Sequence, residues 1–262
     1  MTRLLLTALL FVAFGFEAAI AGAWTLNRGS LQILSGVTSS RASDRFDVHG
    51  SPTGSVIFRK LLAQTWMEYG LTDAVTLYVA PEYVTAESGS DSDGATRYRS
   101  SSVEAGARIL LLSRVGMLSV QASGKSAGAF DMSVSASGEA GTQFEVRMLY
   151  GRSFKLFGHN GFVDVEVAQR WISKPRPNEL TVDASAGYWL TKGNLLVLQN
   201  FNIVSGSGAK PPYGDYRLHK LQASLVQRLT RRWSVQAGYF FATAGQNIVR
   251  EQGFVTQIWY RT

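Results

Sequence analysis

The chain has 262 residues with no cysteine and three histidines, and its 26 Lys and Arg against 19 Asp and Glu give a net charge of +7. Without cysteine there are no disulfides, and so few histidines argue against a structural metal site. The basic residues are scattered rather than gathered on one patch, which argues against a nucleic-acid partner. No cofactor, metal ligand or catalytic residue is predicted.

The first 23 residues have the pattern of a secretory signal peptide. Arg3 carries a positive charge, an apolar run extends from Leu4 to Phe16, and Ala21-Gly22-Ala23 fits a signal-peptidase site. The apolar run is too short for a spanning helix, which needs roughly 20 residues. We therefore expect residues 1–23 to be removed from an exported chain, and residues 24–262 to form one domain that begins at Trp24.

After this leader, about a dozen segments of roughly ten residues alternate apolar and polar side chains, as half-buried strands do. Residues 41–55 and 87–100 are predicted to be long exposed loops, and Pro81 predicts a bulge or an early strand end because it lacks a backbone donor. The twelve predicted strands are 29–40, 56–70, 74–86, 101–112, 116–125, 139–153, 161–171, 179–190, 194–205, 217–228, 233–243 and 250–262.

The connections between these segments alternate between short and long. This alternation, with an even strand number, is typical of an outer-membrane β-barrel with both termini in the periplasm. Only a closed sheet satisfies its backbone in hydrocarbon, since an open edge would leave groups unpaired. We predict an all-β fold, a transmembrane antiparallel up-and-down barrel of about 12 strands. Its periplasmic aromatic girdle is predicted to contain Tyr69, Tyr150, Tyr188 and Trp233.

The chain resembles the outer-membrane β-barrel proteins of the porin and outer-membrane transporter class. The resemblance rests on Ala21-Gly22-Ala23, on the hairpin EYGLTDAVTLYV from Glu68 to Val79, and on the ending GFVTQIWYRT. It implies a Gram-negative outer-membrane location, contact with outer-membrane lipid, and insertion by the barrel assembly machinery. The last segment is similar to the recognition strand that this machinery reads, although its terminal aromatic residue is displaced to Tyr260.

Charged side chains recur on the predicted inward faces, where mixed signs can line a narrow pore or pair across it and plug it. The leading hypothesis is passage of a small-molecule or polysaccharide solute through this lumen, with a constriction where three arginines face four glutamates. The arginines are Arg108, Arg147 and Arg170, and the glutamates are Glu82, Glu104, Glu145 and Glu166. The full predicted pore lining is Lys60, Glu68, Glu82, Glu104, Arg108, Glu145, Arg147, Asp164, Glu166, Arg170 and Asp183.

Three alternatives stay open. A lipid hydrolase or deacylase would use His219 as the base for a nearby serine, although Ser224, five residues on, is predicted to face the other way. A plugged structural or adhesion barrel would act through the loops at 41–55 and 87–100. An exopolysaccharide export component would work with a periplasmic partner.

Overall fold

The computed structural model describes residues 22–90, 94–126, 141–206, 209–210 and 214–262, so residues 1–21 of the predicted leader lie outside the described part. Twelve long antiparallel strands form the wall of a closed barrel, and three two-residue strands form a small separate sheet. The bounds are β1 Leu31–Ala42, β2 Arg45–Phe46, β3 Pro52–Thr53, β4 Val56–Thr72, β5 Val75–Ser90, β6 Gly94–Leu112, β7 Met117–Lys125, β8 Gln143–Leu156, β9 His159–Ile172, β10 Glu179–Trp189, β11 Asn194–Ser205, β12 Arg217–Arg228, β13 Trp233–Gln246, β14 Ile248–Val249 and β15 Gln252–Arg261.

The barrel closes because the first strand is paired on both sides. Ser35 of β1 lies opposite Thr65 of β4 and opposite Ile258 of β15, and each long strand pairs with two neighbours. No edge of this sheet is left open, which is the condition for a sheet in lipid. The predicted fold class is thereby confirmed.

The wall is apolar outside and polar or packed inside, as strand β9 illustrates. Val163, Val165 and Val167 are exposed, whereas Asp164 and Ala168, on the opposite face of the strand, are buried. Side chains alternate across a strand, so one face of β9 suits hydrocarbon and the other suits the interior. In the described part of the chain, no helix is long and apolar enough to cross a membrane.

The structure corrects three local predictions. Residues 87–100 are not one long loop, because β5 and β6 continue to pair as far as Ser90 opposite Gly94. Pro81 causes neither a bulge nor a strand end: it lies in regular register with Val103. On its other side β5 pairs with β4 both before and after Pro81: Met67 lies opposite Val79, and Gln64 lies opposite Glu82. The register between β4 and β5 is the same at both pairs. The proline has no backbone N–H to donate to the neighbouring strand, so a hydrogen bond is lost locally, but the strand continues through it.

The predicted loop at 41–55 is also partly ordered, since it contains β2 and β3. These strands form a small sheet with β14, in which Phe46 lies opposite Ile248. Phe46 and Ile248 pack with buried Tyr216 and Leu218 at the end of the barrel that is predicted to be extracellular. Apolar side chains therefore occupy this end of the interior as well as its periplasmic half.

Candidate functional site: the lumen and its N-terminal segment

Residues Gly22–Arg28, which we call the lumen segment, precede β1: Gly22–Leu26 lie inside the half of the barrel that is predicted to be periplasmic, and Asn27 and Arg28 are exposed at its mouth. The N–H of Ala23 donates to Asp164 Oδ1 at 2.9 Å, and the Ala23 carbonyl accepts from Ser119 Oγ at 2.5 Å. The N–H of Leu26 donates to Thr76 Oγ1 at 2.8 Å. Because these partners lie on three different wall strands, the segment is held from several sides.

Trp24 is the apolar anchor of the lumen segment. Its ring meets Phe162 edge to face, with 5.9 Å between centroids, and the wall makes room for it at Gly151. A Cβ at Gly151 would lie 2.6 Å from the Trp24 ring, so only glycine allows this approach. Such close-packed contacts favour one seated position over many. Trp24 thus joins an interior apolar cluster that contains Leu34, Phe162, Leu195, Val197, Val226 and Trp259.

Arg108 connects the lumen segment to the wall. Its side chain is only 2% exposed, and its Nη1 donates to the Trp24 carbonyl at 3.0 Å. Nη2 pairs with Glu68 Oε1 at 2.9 Å, and Nε donates to Gln121 Oε1 at 3.1 Å. A buried guanidinium requires this many partners, because an unpaired buried charge is strongly unfavourable. Arg108 therefore ties the segment to β4 and β7 at once.

A second charged network lies in the extracellular half. Arg147 donates to Glu145 at 2.8 Å, to Asp183 at 3.1 Å and to Glu166. Arg170 pairs with the other oxygen of Glu145 at 2.7 Å. Two guanidinium groups therefore hold carboxylates from three adjacent strands, and fill part of the interior cross-section.

Arg170 extends this network to Glu179 at the start of β10. Glu179 accepts from Arg170 at 2.7 Å and from Arg176 at 3.1 Å, and it also accepts from the Tyr216 hydroxyl. Glu179 and Arg176 are both buried. The loop after β9 is thus fixed to the lumen rather than free at the mouth.

Glu251, just before β15, forms a third centre. Lys60 Nζ lies 2.7 Å from its Oε1, Lys220 Nζ lies 3.9 Å from its Oε2, and Ser40 Oγ donates to it at 2.5 Å. Burial alone would raise the pKa of this carboxyl, but the two ammonium groups outweigh burial and lower it. Glu251 therefore stays ionised and holds both lysines inside the barrel.

The predicted pore-lining residues all lie at inward-facing positions of their strands, but they form separate groups. Glu82 pairs with Lys125 at 2.7 Å, and Glu104 accepts from Tyr78 at 2.8 Å. Arg108 pairs with Glu68 in the periplasmic half, away from the network of Arg147 and Arg170. The structure thus divides the predicted single belt of arginines and glutamates between two levels. That these residues line a solute path stays a prediction.

Sequence reasoning missed three charged members of these networks: Arg176, Glu179 and Glu251. Glu179 and Asp183 are four residues apart on the same strand, so the alternation that predicts an inward Asp183 also predicts an inward Glu179. Glu251 is likewise an even number of residues from Val255 and Trp259, which are buried. The lumen segment gave no such signal, because residues 22–28 have no strand period that points to a neighbour.

The geometry does not favour the hydrolase alternative. His219 Nδ1 lies 2.7 Å from Asn202 Oδ1, at an irregularity of β12, and the residue has an amide rather than a serine as partner. Ser224 is buried on the inward face and accepts from Gln222. In the part of the chain that the structure describes, no serine hydroxyl is hydrogen-bonded to the His219 ring.

Comparison with known proteins finds no matching family model and no matching curated protein. Among solved structures, an outer membrane channel from Pseudomonas putida F1 superposes with a TM-score of 0.68 at 14% identity, over 94% of this chain and all of that one. The translocator domain of the autotransporter NalP from Neisseria meningitidis gives 0.60 at 11% identity, with 90% of each chain covered. The NanC porin gives 0.53 at 8% identity, over 88% of this chain and all of that one.

The fold is that of an outer-membrane β-barrel protein. The exposed apolar face of the wall agrees with this fold and supports a location in the outer membrane. At these identities the likeness concerns the fold alone. What passes through the barrel has to be argued from its own residues.

Proposed function

We propose that the protein is an outer-membrane channel for a small polar solute, closed at rest by its own lumen segment. The observation that carries this proposal is the position of the lumen segment: its residues 22–26 lie in the interior but form no strand of the wall, which begins with Leu31. Withdrawal of the segment would break the hydrogen bonds between its backbone and side chains of the wall, and it would leave every pair of wall strands intact.

The interior charges support passage of a polar solute. With the segment withdrawn, Arg108 and Asp164 would lose a backbone partner and face water. Charged walls of mixed sign offer binding that is favourable enough for entry and weak enough for exit. A twelve-stranded barrel lies between the filled eight-stranded barrels and the open porins of 16 to 18 strands, so the path is expected to be narrow.

The structural neighbours add a coarser support. One neighbour, matched over its whole length, is an outer membrane channel, and another is a porin. These neighbours agree with a proposal of solute passage here, and neither identifies a solute for this chain.

Planar-bilayer recording of the purified wild-type protein, beside a variant whose lumen segment is replaced, tests the proposal. We expect rare, small current steps from the wild type, because the segment is held by several hydrogen bonds. Silence of both proteins, with circular dichroism showing folded barrels, would overturn the proposal in favour of a plugged structural or adhesion barrel. The export-component alternative stays a sequence-based hypothesis.

A further inference from the structure

Gly22 and Ala23 of the lumen segment lie against a buried acid. Asp164 is only 3% exposed, and within the described residues no Lys, Arg or His nitrogen lies within 4.0 Å of its carboxylate. The carboxyl of Glu166, two residues further on the same strand face, makes a side-chain hydrogen bond to Asp164 and is paired with Arg147. An ionised Asp164 has no direct cationic partner of its own, and a buried charge without one is unfavourable.

Gly22 is the residue beside that carboxylate. A Cβ at Gly22 would lie 2.9 Å from Asp164 Oδ1, and the next residue, Ala23, already donates its N–H to the same oxygen. The Gly22 nitrogen is one bond from its Cα and therefore within a few ångströms of Asp164. A free α-ammonium at Gly22 would be the missing cation.

The sequence has a cleavage motif at this point. Ala19-Ile20-Ala21 is an Ala-x-Ala triplet that ends directly before Gly22, two residues before the boundary expected from Ala21-Gly22-Ala23. Cleavage after Ala23 would remove the amide that donates to Asp164 and the carbonyl that accepts from Ser119. Cleavage after Ala21 keeps both.

We propose that a signal peptidase cuts between Ala21 and Gly22 and that the new N-terminal ammonium forms an ion pair with Asp164 inside the barrel. Hydrolysis of this peptide bond consumes one water and leaves a carboxylate on Ala21 and an amine on Gly22, which is protonated. The processing site and the position of the lumen segment are then coupled, because a chain that starts at Gly22 presents its positive end to Asp164, whereas a chain that starts at Trp24 lacks the residues that lie there.

Intact-mass measurement of the protein from Gram-negative outer membranes tests the cleavage position. We expect a chain that starts at Gly22, and a start at Trp24 would overturn the proposal. The ion pair is tested by brief acetylation of amines in the folded protein at neutral pH, with the exposed turn residue Lys192 as internal reference. We expect the α-amine to be modified much more slowly than Lys192, and to become reactive in Asp164→Asn. Equal rates in the wild type would overturn the ion pair, whether or not the channel conducts.

A second, independent inference concerns the lipid-facing wall near its extracellular end. There Arg41 lies opposite Arg59, Arg59 opposite Glu87, and Glu87 opposite Arg97, across strands β1, β4, β5 and β6. We call these four residues the outer basic row. Its three arginines are exposed, and none of the ion pairs of the described residues includes them.

The outer basic row lies at the height of lipid headgroups. Arg59 is ten residues from the girdle residue Tyr69 on the same strand, which at a tilt of about 40° is about 25 Å along the membrane normal. The apolar band of such barrels is also about 25 Å tall. Like charges directly opposite on neighbouring strands, as at Arg41 and Arg59, are unfavourable without a counter-ion.

We infer that the outer basic row binds the phosphates of a phosphorylated, multiply acylated glycolipid, the lipopolysaccharide class of the outer leaflet. Guanidinium groups recognise phosphate in a bidentate manner. Beside the three arginines, Leu61, Tyr239 and Phe254 line the same groove of about 670 Å³, which offers an apolar surface to acyl chains.

Native mass spectrometry with bisphosphorylated lipid A tests this site on the detergent-purified protein. We expect Arg41→Gln/Arg59→Gln/Arg97→Gln to lower the affinity about tenfold or more, since each lost charge-assisted hydrogen bond weakens phosphate binding. The matched control is Arg114→Gln/Arg231→Gln/Arg232→Gln, in the turns at the opposite end of the barrel, which should bind like the wild type. Equal loss in both variants, or equal binding of dephosphorylated lipid A by the wild type, would overturn the inference.

Discussion

Replacing residues 24–27 with Gly-Ser-Gly-Ser is expected to raise the single-channel conductance several-fold above the wild type. The replacement removes the Trp24 ring from its contact with Phe162 and the Leu26 side chain from the interior. Every wall strand is kept, so the barrel should still fold. Planar-bilayer recordings at matched protein insertion measure the effect.

A single substitution in the wall provides an independent route to the same result. In Gly151→Ala the new Cβ would lie 2.6 Å from the Trp24 ring, and the ring must move away. We expect more frequent openings than in the wild type. Gly124→Ala is the matched control, since the atom nearest to the new Cβ, the Gln143 carbonyl oxygen, would be 4.0 Å away. Wild-type behaviour of both the replaced segment and Gly151→Ala would contradict closure by the lumen segment.

Arg147→Met is expected to be the most destabilising substitution in the charged networks. It leaves Glu145, Glu166 and Asp183 facing one another without the guanidinium that bridges them. Removing one partner from a buried ionic group costs about 3–5 kcal/mol. Urea unfolding in detergent micelles, followed by the mobility shift of unheated samples in gels, measures the loss.

Two further variants separate a lost ion pair from lost packing. Arg147→Met/Glu166→Gln/Asp183→Asn removes the unpaired charges and should regain most of the lost stability, because neutral replacements of buried ionic groups are often tolerated. Arg231→Met, in an exposed turn, should change the free energy of unfolding by less than about 0.5 kcal/mol. If Arg147→Met matched this exposed control, the network would not stabilise the barrel.

The wall was predictable from sequence because lipid imposes a period of two on every strand. The predicted strand at 194–205 has the observed bounds, Asn194–Ser205, and Arg217–Arg228 likewise agrees. The inward direction of Arg147 and Asp183 followed from the same alternation, since their neighbours are outward aliphatic residues. The alternation along each strand thus predicts both the fold class and the side of the wall on which each side chain lies.

What the sequence did not predict depends on contacts between distant residues. The lumen segment is held by Asp164 and Ser119, which are more than 90 positions away in the sequence. Its seven residues do not alternate as a strand does, so the sequence does not predict these partners. Residues 87–100 have a loop-like composition rich in Ser, Gly and Asp, yet pairing between β5 and β6 overrides it. The charged side chains lie at different heights along the barrel axis because neighbouring strands are shifted in register. The sequence of a single strand does not contain that shift.

The small sheet at the extracellular end has a topological consequence. β2 follows the first wall strand and β14 precedes the last, so their pairing spans the seam where the two ends of the chain meet. Arg250 and Asp44 add a 3.1 Å ion pair across the same line. The sheet therefore adds backbone pairs across the junction of β1 and β15, where neighbouring strands are furthest apart along the chain.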